Sequence, residues 1–272
     1  MKPPFPYFGA KGIHAERIAG MFPEHGHYVE PYCGSLAVLL AKPPSPMETV
    51  SDLDSMLVTF WRVLRDRPGD LARACMLTPH SLAEFQASGV DIPGFDLADE
   101  LEVARRVWVR LTQGRAGTLC NTGWRHFVKP TGSFGMPDYL DSYVARTAAA
   151  ARRLHHVSLE CRPALELIAW YGRSADVLLY VDPPYVRSTR SSGAYRHEMT
   201  DADHRDLAEA LCSAKASVVL SGYPSRLYDG WHRSEFASGT GQNAETWENR
   251  TEVLWSNRPF PVAQLDLFGE AS

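Results

Sequence analysis

Asp182-Pro183-Pro184-Tyr185 follows directly on the apolar run Val177-Leu178-Leu179-Tyr180-Val181, and this pairing carries the most specific chemistry in the chain. Five consecutive apolar residues read as a buried strand of a parallel sheet. Two prolines cannot continue a hydrogen-bond ladder, so the strand must end at Asp182. In an open α/β sheet, ligands bind in the crevice outside the carboxyl ends of the strands. A carboxylate, a stiff turn and an aromatic ring are thereby presented together. An amino group bound there can donate one N–H to Asp182 and another to a proline carbonyl, while the Tyr185 ring stacks on the flat heterocycle that carries the amine. Taken alone, the tetrapeptide could equally be a strand-ending turn.

Three other elements can position a partner for that amine. Glu30-Pro31-Tyr32-Cys33-Gly34-Ser35 joins a strand predicted over His27–Glu30 to a helix predicted over Ser35–Ala41, so backbone N–H groups and a helix N-terminus can meet a polar ligand. Cys33 also reads as a small buried filler. Asp52 ends a strand predicted over Glu48–Ser51, where its carboxylate can accept hydrogen bonds from both hydroxyls of a ribose. It could cap the next helix, but Asp54 is better placed to do so, ahead of Leu57, Val58, Trp61 and Leu64 at helical spacing. The last element is Tyr7-Phe8-Gly9-Ala10-Lys11, just before a first helix carrying Ile13, Ile18 and Met21. Read by itself, Lys11 is a solvated lysine at a helix start. Together these elements suit a nucleoside-type cofactor held beside an amine.

The chain has 272 residues, enough for one α/β domain with an insertion or for two small domains. No apolar run is long enough to span a bilayer and no signal-like segment opens the chain, so a soluble, cytoplasmic protein is expected. The five cysteines are scattered without a Cys-x-x-Cys pair, suggesting neither a disulfide framework nor a zinc site, and no metal site is expected. A net charge of −4 taken alone argues against a nucleic-acid partner, yet residues 105–156 hold nine Lys/Arg against two Asp/Glu. Such a basic segment is a candidate polyanion surface.

From Pro68 to Leu154 strand signals vanish and helical patterns alternate with loops, as in an insertion. Its middle, residues 113–135, interleaves Arg115, Trp124, Arg125, His126, Phe127, Lys129 and Phe134, which suits a DNA-facing loop whose arginines can read guanine edges. A βα rhythm then resumes: a strand over Val157–Glu160, a helix over Pro163–Tyr171, the strand leading to Asp182, a helix over Asp201–Ser213 and a strand over Ser217–Ser221. Alternation in Trp231, Arg233, Glu235 and in Thr251, Val253, Trp255 predicts a final antiparallel hairpin. The loop after Tyr185 carries Arg187, Arg190 and His197, which could grip phosphates or lie on an ordinary solvated loop.

In their order along the chain, these motifs resemble the Dam-type (D12 class) N6-adenine-specific DNA methyltransferases. The match rests on the aromatic-x-Gly-x-Lys opening, the Glu-Pro-aromatic-x-Gly turn, the acidic residue after the second strand, the insertion and Asp-Pro-Pro-Tyr, with residues 1–65 and 155–256 carrying it. The resemblance implies an α/β fold with a Rossmann-like S-adenosylmethionine-dependent methyltransferase sheet and an inserted, mostly helical DNA-recognition region. Residues 1–66 would form the cofactor-binding part, 67–155 the target-recognition insertion, 156–258 the catalytic part and 259–272 a flexible tail. It implies S-adenosylmethionine contacts from Tyr7, Lys11, Glu30, Cys33, Gly34, Asp52 and Asp182, catalysis by Asp182, Pro183 and Tyr185, and contact with double-stranded DNA through Arg115, Trp124, Arg125, Lys129, Arg187 and Arg190. An adenine in a duplex hides N6 in the stack, so the base must be flipped into the site. Hydrogen bonds from N6 to Asp182 and the Pro183 carbonyl would then free its lone pair from ring conjugation. Tyr7 stands where tryptophan is common, Ala10 where glycine is usual, and Leu36 at the second glycine of the cofactor turn. Leucine disfavours positive φ, which predicts a different path for that turn.

Two alternatives come from other classes: methylation of an RNA base or of a protein glutamine amide, and a catalytically silent DNA-binding module. Relatives of the first kind typically carry Asn at the position of Asp182, and intact Asp182 and Tyr185 speak against the second. Near the end of the chain, Gln264-Leu265-Asp266-Leu267-Phe268 resembles the short peptide with which bacterial replication and repair proteins dock on the sliding clamp. Equally, the tail could fold back to bury Leu267 and Phe268 on its own domain.

Overall fold

The run Val177–Val181 is β4, a central strand of a seven-stranded sheet ordered β3-β2-β1-β4-β5-β7-β6. The computed structural model describes residues 1–89, 96–126, 135–185, 195–239 and 249–261. Strands β1 (His27–Glu30), β2 (Met47–Ser51), β3 (Ser158–Glu160), β4 and β5 (Ser217–Gly222) run parallel. β7 (Asn249–Ser256) adds antiparallel to β5 and pairs with β6 (His232–Gly239), the hairpin that the alternation predicts. Chain order reverses between β1 and β4, and an α/β sheet opens its ligand crevice at such a switch point.

Every residue of β4 is buried, and the pleat sends them to two cores. Leu178 and Tyr180 join the core under α2 (Ala37–Ala41) and α3 (Ser55–Asp66). Val177, Leu179 and Val181 join the core under α9 (Ala164–Tyr171) and α10 (Asp201–Cys212). This three-layer packing is the Rossmann-like arrangement expected from the sequence.

α3 starts where Asp54 caps it, with the carboxylate accepting from Met56 N at 3.1 Å and Leu57 N at 3.4 Å. Leu57, Trp61 and Leu64 on α3 are fully buried. Beyond α3 the chain forms α4 (Pro68–Met76), α5 (Leu82–Ala87), α6 (Glu100–Gln113), α7 (Met136–Val144) and α8 (Thr147–Leu154). Val107, Trp108 and Leu111 of α6 and Leu154 of α8 share one continuous core with α3 and the sheet. A buried ion cluster adds to this seam: Glu48 on β2 accepts from Lys42 Nζ at 2.6 Å and from Arg153 of α8 at 2.8 Å. Burying a carboxylate is tolerable only when it is paired in this way.

Three local expectations are corrected. α1 spans only Ala15–Ala19 and buries Ala15 and Ile18, whereas Ile13 is 90% exposed and belongs to no apolar face. The second helix begins at Ala37 rather than Ser35. Leu36 adopts φ +55°, so the turn keeps a left-handed residue there despite the missing glycine. Its side chain is fully buried, and that apolar burial offsets a backbone cost of roughly 1–2 kcal/mol. The five cysteines are free thiols. Among the described residues, no helix is long and apolar enough to cross a membrane, and no cluster of His, Cys, Asp or Glu could hold a metal ion.

Candidate active site

A cavity of about 290 Å³ opens at the carboxyl ends of β1, β2 and β4, at the switch point of the sheet. Tyr7, Glu30, Gly34, Asp52 and Asp182 line it, together with Lys11 and Cys33. All seven residues expected around a cofactor are thus brought together.

Asp52 ties two turns to each other. Its carboxylate accepts from Gly34 N and from Asp54 N, each at 3.0 Å. Each oxygen keeps a further lone pair for a ligand. Burial pushes the Asp52 carboxyl up to about 6 in spite of these two N–H donors. Asp54, not Asp52, caps α3, so Asp52 faces the cavity as the sequence suggested. The Glu30-Pro31-Tyr32-Cys33-Gly34 turn is pinned from below by Cys33 N to Ser51 O at 2.8 Å and by Trp61 Nε1 to Gly34 O at 2.9 Å. Gly34 has φ +44°, and a Cβ there would sit 3.1 Å from the Tyr7 ring, so a side chain would be strained and crowded at once. Burial raises the Cys33 thiol well above its usual range, which keeps it a neutral wall residue. Glu30 ends β1 and accepts the Tyr28 hydroxyl at 2.8 Å. Burial raises its carboxyl to about 8, against the pull of that hydroxyl.

Asp182 lies directly after β4 and is 2.8 Å from Lys11 Nζ. Burial pushes its carboxyl up to about 6, Lys11 opposing and the charge of Glu252 adding to the rise. Lys11 is not the solvated lysine that an isolated reading gives: it is 5% exposed and also lies 3.0 Å from Glu252 Oε1. Burial alone would depress its ammonium, but Asp182 and Glu252 outweigh that and hold its pKa above the ordinary lysine value.

The four residues of the Asp-Pro-Pro-Tyr turn do not share one cavity. Asp182 and Pro184 line the large one, whereas Pro183 and Tyr185 line a smaller neighbour of about 80 Å³ bounded by Tyr223, Tyr228 and Trp255. The Tyr185 hydroxyl donates to Glu252 Oε1 at 2.6 Å, and its ring packs edge-on to Tyr223 with centroids 4.7 Å apart. The Pro184 carbonyl accepts from His204 Nε2 at 3.0 Å.

The sequence sets His197 in a loop beside the turn, but it does not reveal the closing contacts of Tyr195 and Arg196 or the acid Glu252. Tyr195 packs edge-on against Phe8, with centroids 5.5 Å apart, and Arg196 reaches Asp54 at 3.1 Å, so residues 195–199 border the cavity opposite the first motif. His197 lines the cavity too. Glu252 had one usable signal: strand alternation sets it on the same face as Leu254, which is 1% exposed. A carboxylate on an inward face calls for a partner.

In the insertion, Arg115, Trp124 and Arg125 come together because residues 113–125 fold back on themselves through Arg115 N to Gly123 O and Arg125 N to Gln113 O. Trp124 stacks on His80 at 4.6 Å and on His126 at 6.0 Å, and the Arg125 guanidinium lies over the Tyr139 ring. Lys129, Arg187 and Arg190, like Phe127 and Phe134, lie outside the described residues, as do Gln264, Leu265, Asp266, Leu267 and Phe268. The basic count over 105–156 overstates the outward charge. Arg105 is paired with Glu84 and Glu102, Arg106 with Glu102, and Arg153 with Glu48.

Comparison with curated proteins gives no match. Among solved structures, a conserved hypothetical protein from Streptococcus pyogenes aligns over 92% of this chain and 96% of its own, at 11% identity and a TM-score of 0.37. The family model for D12 class N6 adenine-specific DNA methyltransferase matches residues 7–246. That match runs from the Tyr7 motif through both cavity-lining turns and the Asp-Pro-Pro-Tyr turn to beyond β6, and with it the chain belongs to the D12 class of N6 adenine-specific DNA methyltransferases.

Proposed function

We propose that this methyltransferase moves a methyl group from S-adenosylmethionine to N6 of an adenine flipped out of duplex DNA. The observation that carries the reading is the placement of Asp52 and Asp182 on one cavity at the switch point of the sheet. The donor set suits a nucleoside with a charged tail. Asp52 retains lone pairs for two ribose hydroxyls, Glu30 and Lys11 supply polar groups, and Leu53 and Leu165 give the apolar walls a base requires. At about 290 Å³ the space lies just below the roughly 300–1,000 Å³ common for small-molecule sites. Bound there, S-adenosylmethionine supplies an electrophilic methyl group on a sulfonium.

The remaining work falls to this chain. Asp182, ionised above about pH 6, accepts a hydrogen bond from one N6–H of the adenine. With the Pro184 carbonyl engaged by His204, the Pro183 carbonyl is the acceptor for the second. Two such bonds localise the nitrogen lone pair and aim it at the cofactor side of the turn. Asp182 then stabilises the positive charge that develops on the attacking nitrogen and takes up the proton that this nitrogen sheds once methylated. The Pro183–Tyr185 side is where the purine ring docks. Its cavity of about 80 Å³ is small for such a ring, so the base must draw Tyr185 or Tyr223 aside to stack there. The insertion, residues 67–155, serves as the DNA-recognition region, with Arg115, Trp124 and Arg125 toward the duplex. Lys129, Arg187 and Arg190 are proposed as further contacts from the sequence.

Labelled methyl transfer offered in parallel to DNA, RNA and protein tests the reading. The expected product is N6-methyladenine in DNA. Label in RNA or in glutamine, with DNA unlabelled and cofactor bound, would move the assignment to the alternative methyltransferases. Cofactor-free DNA binding with no transfer to anything would leave the silent module. The Gln264–Phe268 peptide is proposed as a clamp-docking segment from its sequence alone. Its deletion is expected to abolish retention on a purified sliding clamp, and failure of the intact chain to bind would dismiss it.

A further inference from the structure

One cation serves two carboxylates and a phenol at the turn. Lys11 Nζ is 2.8 Å from Asp182 Oδ1 and 3.0 Å from Glu252 Oε1. The Tyr185 hydroxyl is 2.6 Å from that same Glu252 oxygen and 3.4 Å from Asp182 Oδ1. Both donors that point at Asp182 are therefore shared with, or committed to, Glu252. The side chain of Glu252 is 13% exposed, reached from β7 at the far end of the chain.

We propose that Glu252 is a positioning residue for methyl transfer, sharing the Lys11 ammonium and holding the Tyr185 hydroxyl so that the Asp182 carboxylate stays set toward the substrate amine. The proposal rests on the reading of Asp182 as the amine acceptor. Without the Glu252 carboxylate, the ammonium is left with Asp182 and the Gly9 carbonyl, and the phenol, losing its 2.6 Å acceptor, can close on Asp182 Oδ1. Full ammonium and phenol bonds on Oδ1 turn the carboxylate and draw on its charge, so the amine is held less well and loses its orientation. The same loss removes a negative charge beside Asp182. Among the described residues, the charged and titratable groups facing Asp182 are Lys11 from the N-terminal motif, Glu30 from β1, Tyr180 from β4, Tyr185 from the turn and Glu252 from β7. Glu252 acts to raise the Asp182 carboxyl and Lys11 to lower it, so neutralising Glu252 shifts Asp182 ionisation to lower pH.

The experiment compares Glu252→Gln with wild type in kcat, KM for the cofactor, and the acidic limb of the kcat–pH profile, with Asp182→Asn alongside. Expected for Glu252→Gln is a fall in kcat of about tenfold to a hundredfold. KM for the cofactor stays within about twofold, since Glu252 does not line the cofactor cavity and Lys11 keeps its bonds to Asp182 and Gly9. The acidic limb moves to lower pH, which a general loss of structure would not produce. Wild-type kcat with an unmoved limb, while Asp182→Asn is inactive, would overturn the role of Glu252. An active Asp182→Asn would instead overturn the reading beneath it. Where thermal melting shows Glu252→Gln unfolded, Glu252→Asp decides: it keeps the charge but shortens the reach, so reduced kcat supports the proposal and unchanged kcat ends it.

Discussion

The strand-end cavity and the 113–126 fold-back keep their charge in opposite ways. Around the cavity, Glu30, Asp52 and Asp182 are carboxylates lifted by burial to about 8, 6 and 6, served mainly by N–H and O–H donors and one buried lysine. In the fold-back, Arg115 donates to the Trp124 carbonyl at 3.2 Å and Arg125 spreads over the Tyr139 ring, contacts that hold a guanidinium without neutralising it. The first region stores free energy as desolvation, and the second as unscreened charge. One should answer to pH and the other to salt.

The largest effect that tests this contrast is Asp182→Ala. It should cut methyl transfer by about 10³-fold or more while the melting temperature stays within a few degrees. Near-normal transfer would remove Asp182 from the chemistry. Asp52→Asn comes next. Losing an ionised acceptor costs about 1.5–3 kcal/mol, so calorimetry should show cofactor affinity down by about tenfold to a hundredfold with DNA affinity unchanged. A variant that binds cofactor as tightly as wild type would refute the ribose assignment.

The pH dependence follows with its sign. Cofactor affinity should climb as pH rises through about 6, where Asp52 ionises, and then level off. Asp52→Asn should flatten that rise. Stability should move the other way. Asp52, Asp182 and Glu30 hold protons in the folded chain that the unfolded chain has released, so melting temperature should decline from pH 5 to about 8, the range set by their raised values. Glu48 and Glu102 sit below their ordinary value and lose stabilisation only at more acid pH, whereas the depressed imidazoles of His25 and His27 oppose the decline in its acid part, so the fall is steepest above their ordinary range. A melting temperature that rises across the window would contradict the burial argument.

The smallest effects separate outward from inward arginines. Arg115→Ala should weaken DNA binding about three- to tenfold and lower the slope of log affinity against log salt by about one. Arg105→Ala should leave that slope alone and lower the melting temperature instead, because its guanidinium serves Glu84 and Glu102. Equal salt slopes for the two variants would mean that pairing does not sort them.

What the sequence made legible was local. Val177–Val181 announced a buried strand through its unbroken apolar run, and Pro183 and Pro184 fixed its end, because both signals need no knowledge of the rest of the chain. Asp54 could be told from Asp52 by its spacing to the helix. The rest depended on partners remote in sequence. Nothing near Lys11 announces Glu252, nothing near Asp54 announces Arg196, and the inward turn of Tyr185 follows from Glu252 and Tyr223. Counting charge over 105–156 failed for the same reason, since the neutralising Glu48, Glu84 and Glu102 lie outside that span. Leu36 misled because side-chain burial outweighed backbone preference.

Lys11 and Glu252 belong to opposite ends of the polypeptide, and their meeting sets an order for biosynthesis. On a ribosome the cofactor turns and the insertion emerge long before β7, which must still enter between β5 and β6. Until then the lysine has only Asp182 and the Gly9 carbonyl to serve, and the turn lacks the second carboxylate that shares the ammonium. Transfer competence therefore arrives with the last strand: a chain interrupted before β7 should be able to grip DNA through its insertion yet leave no methyl mark.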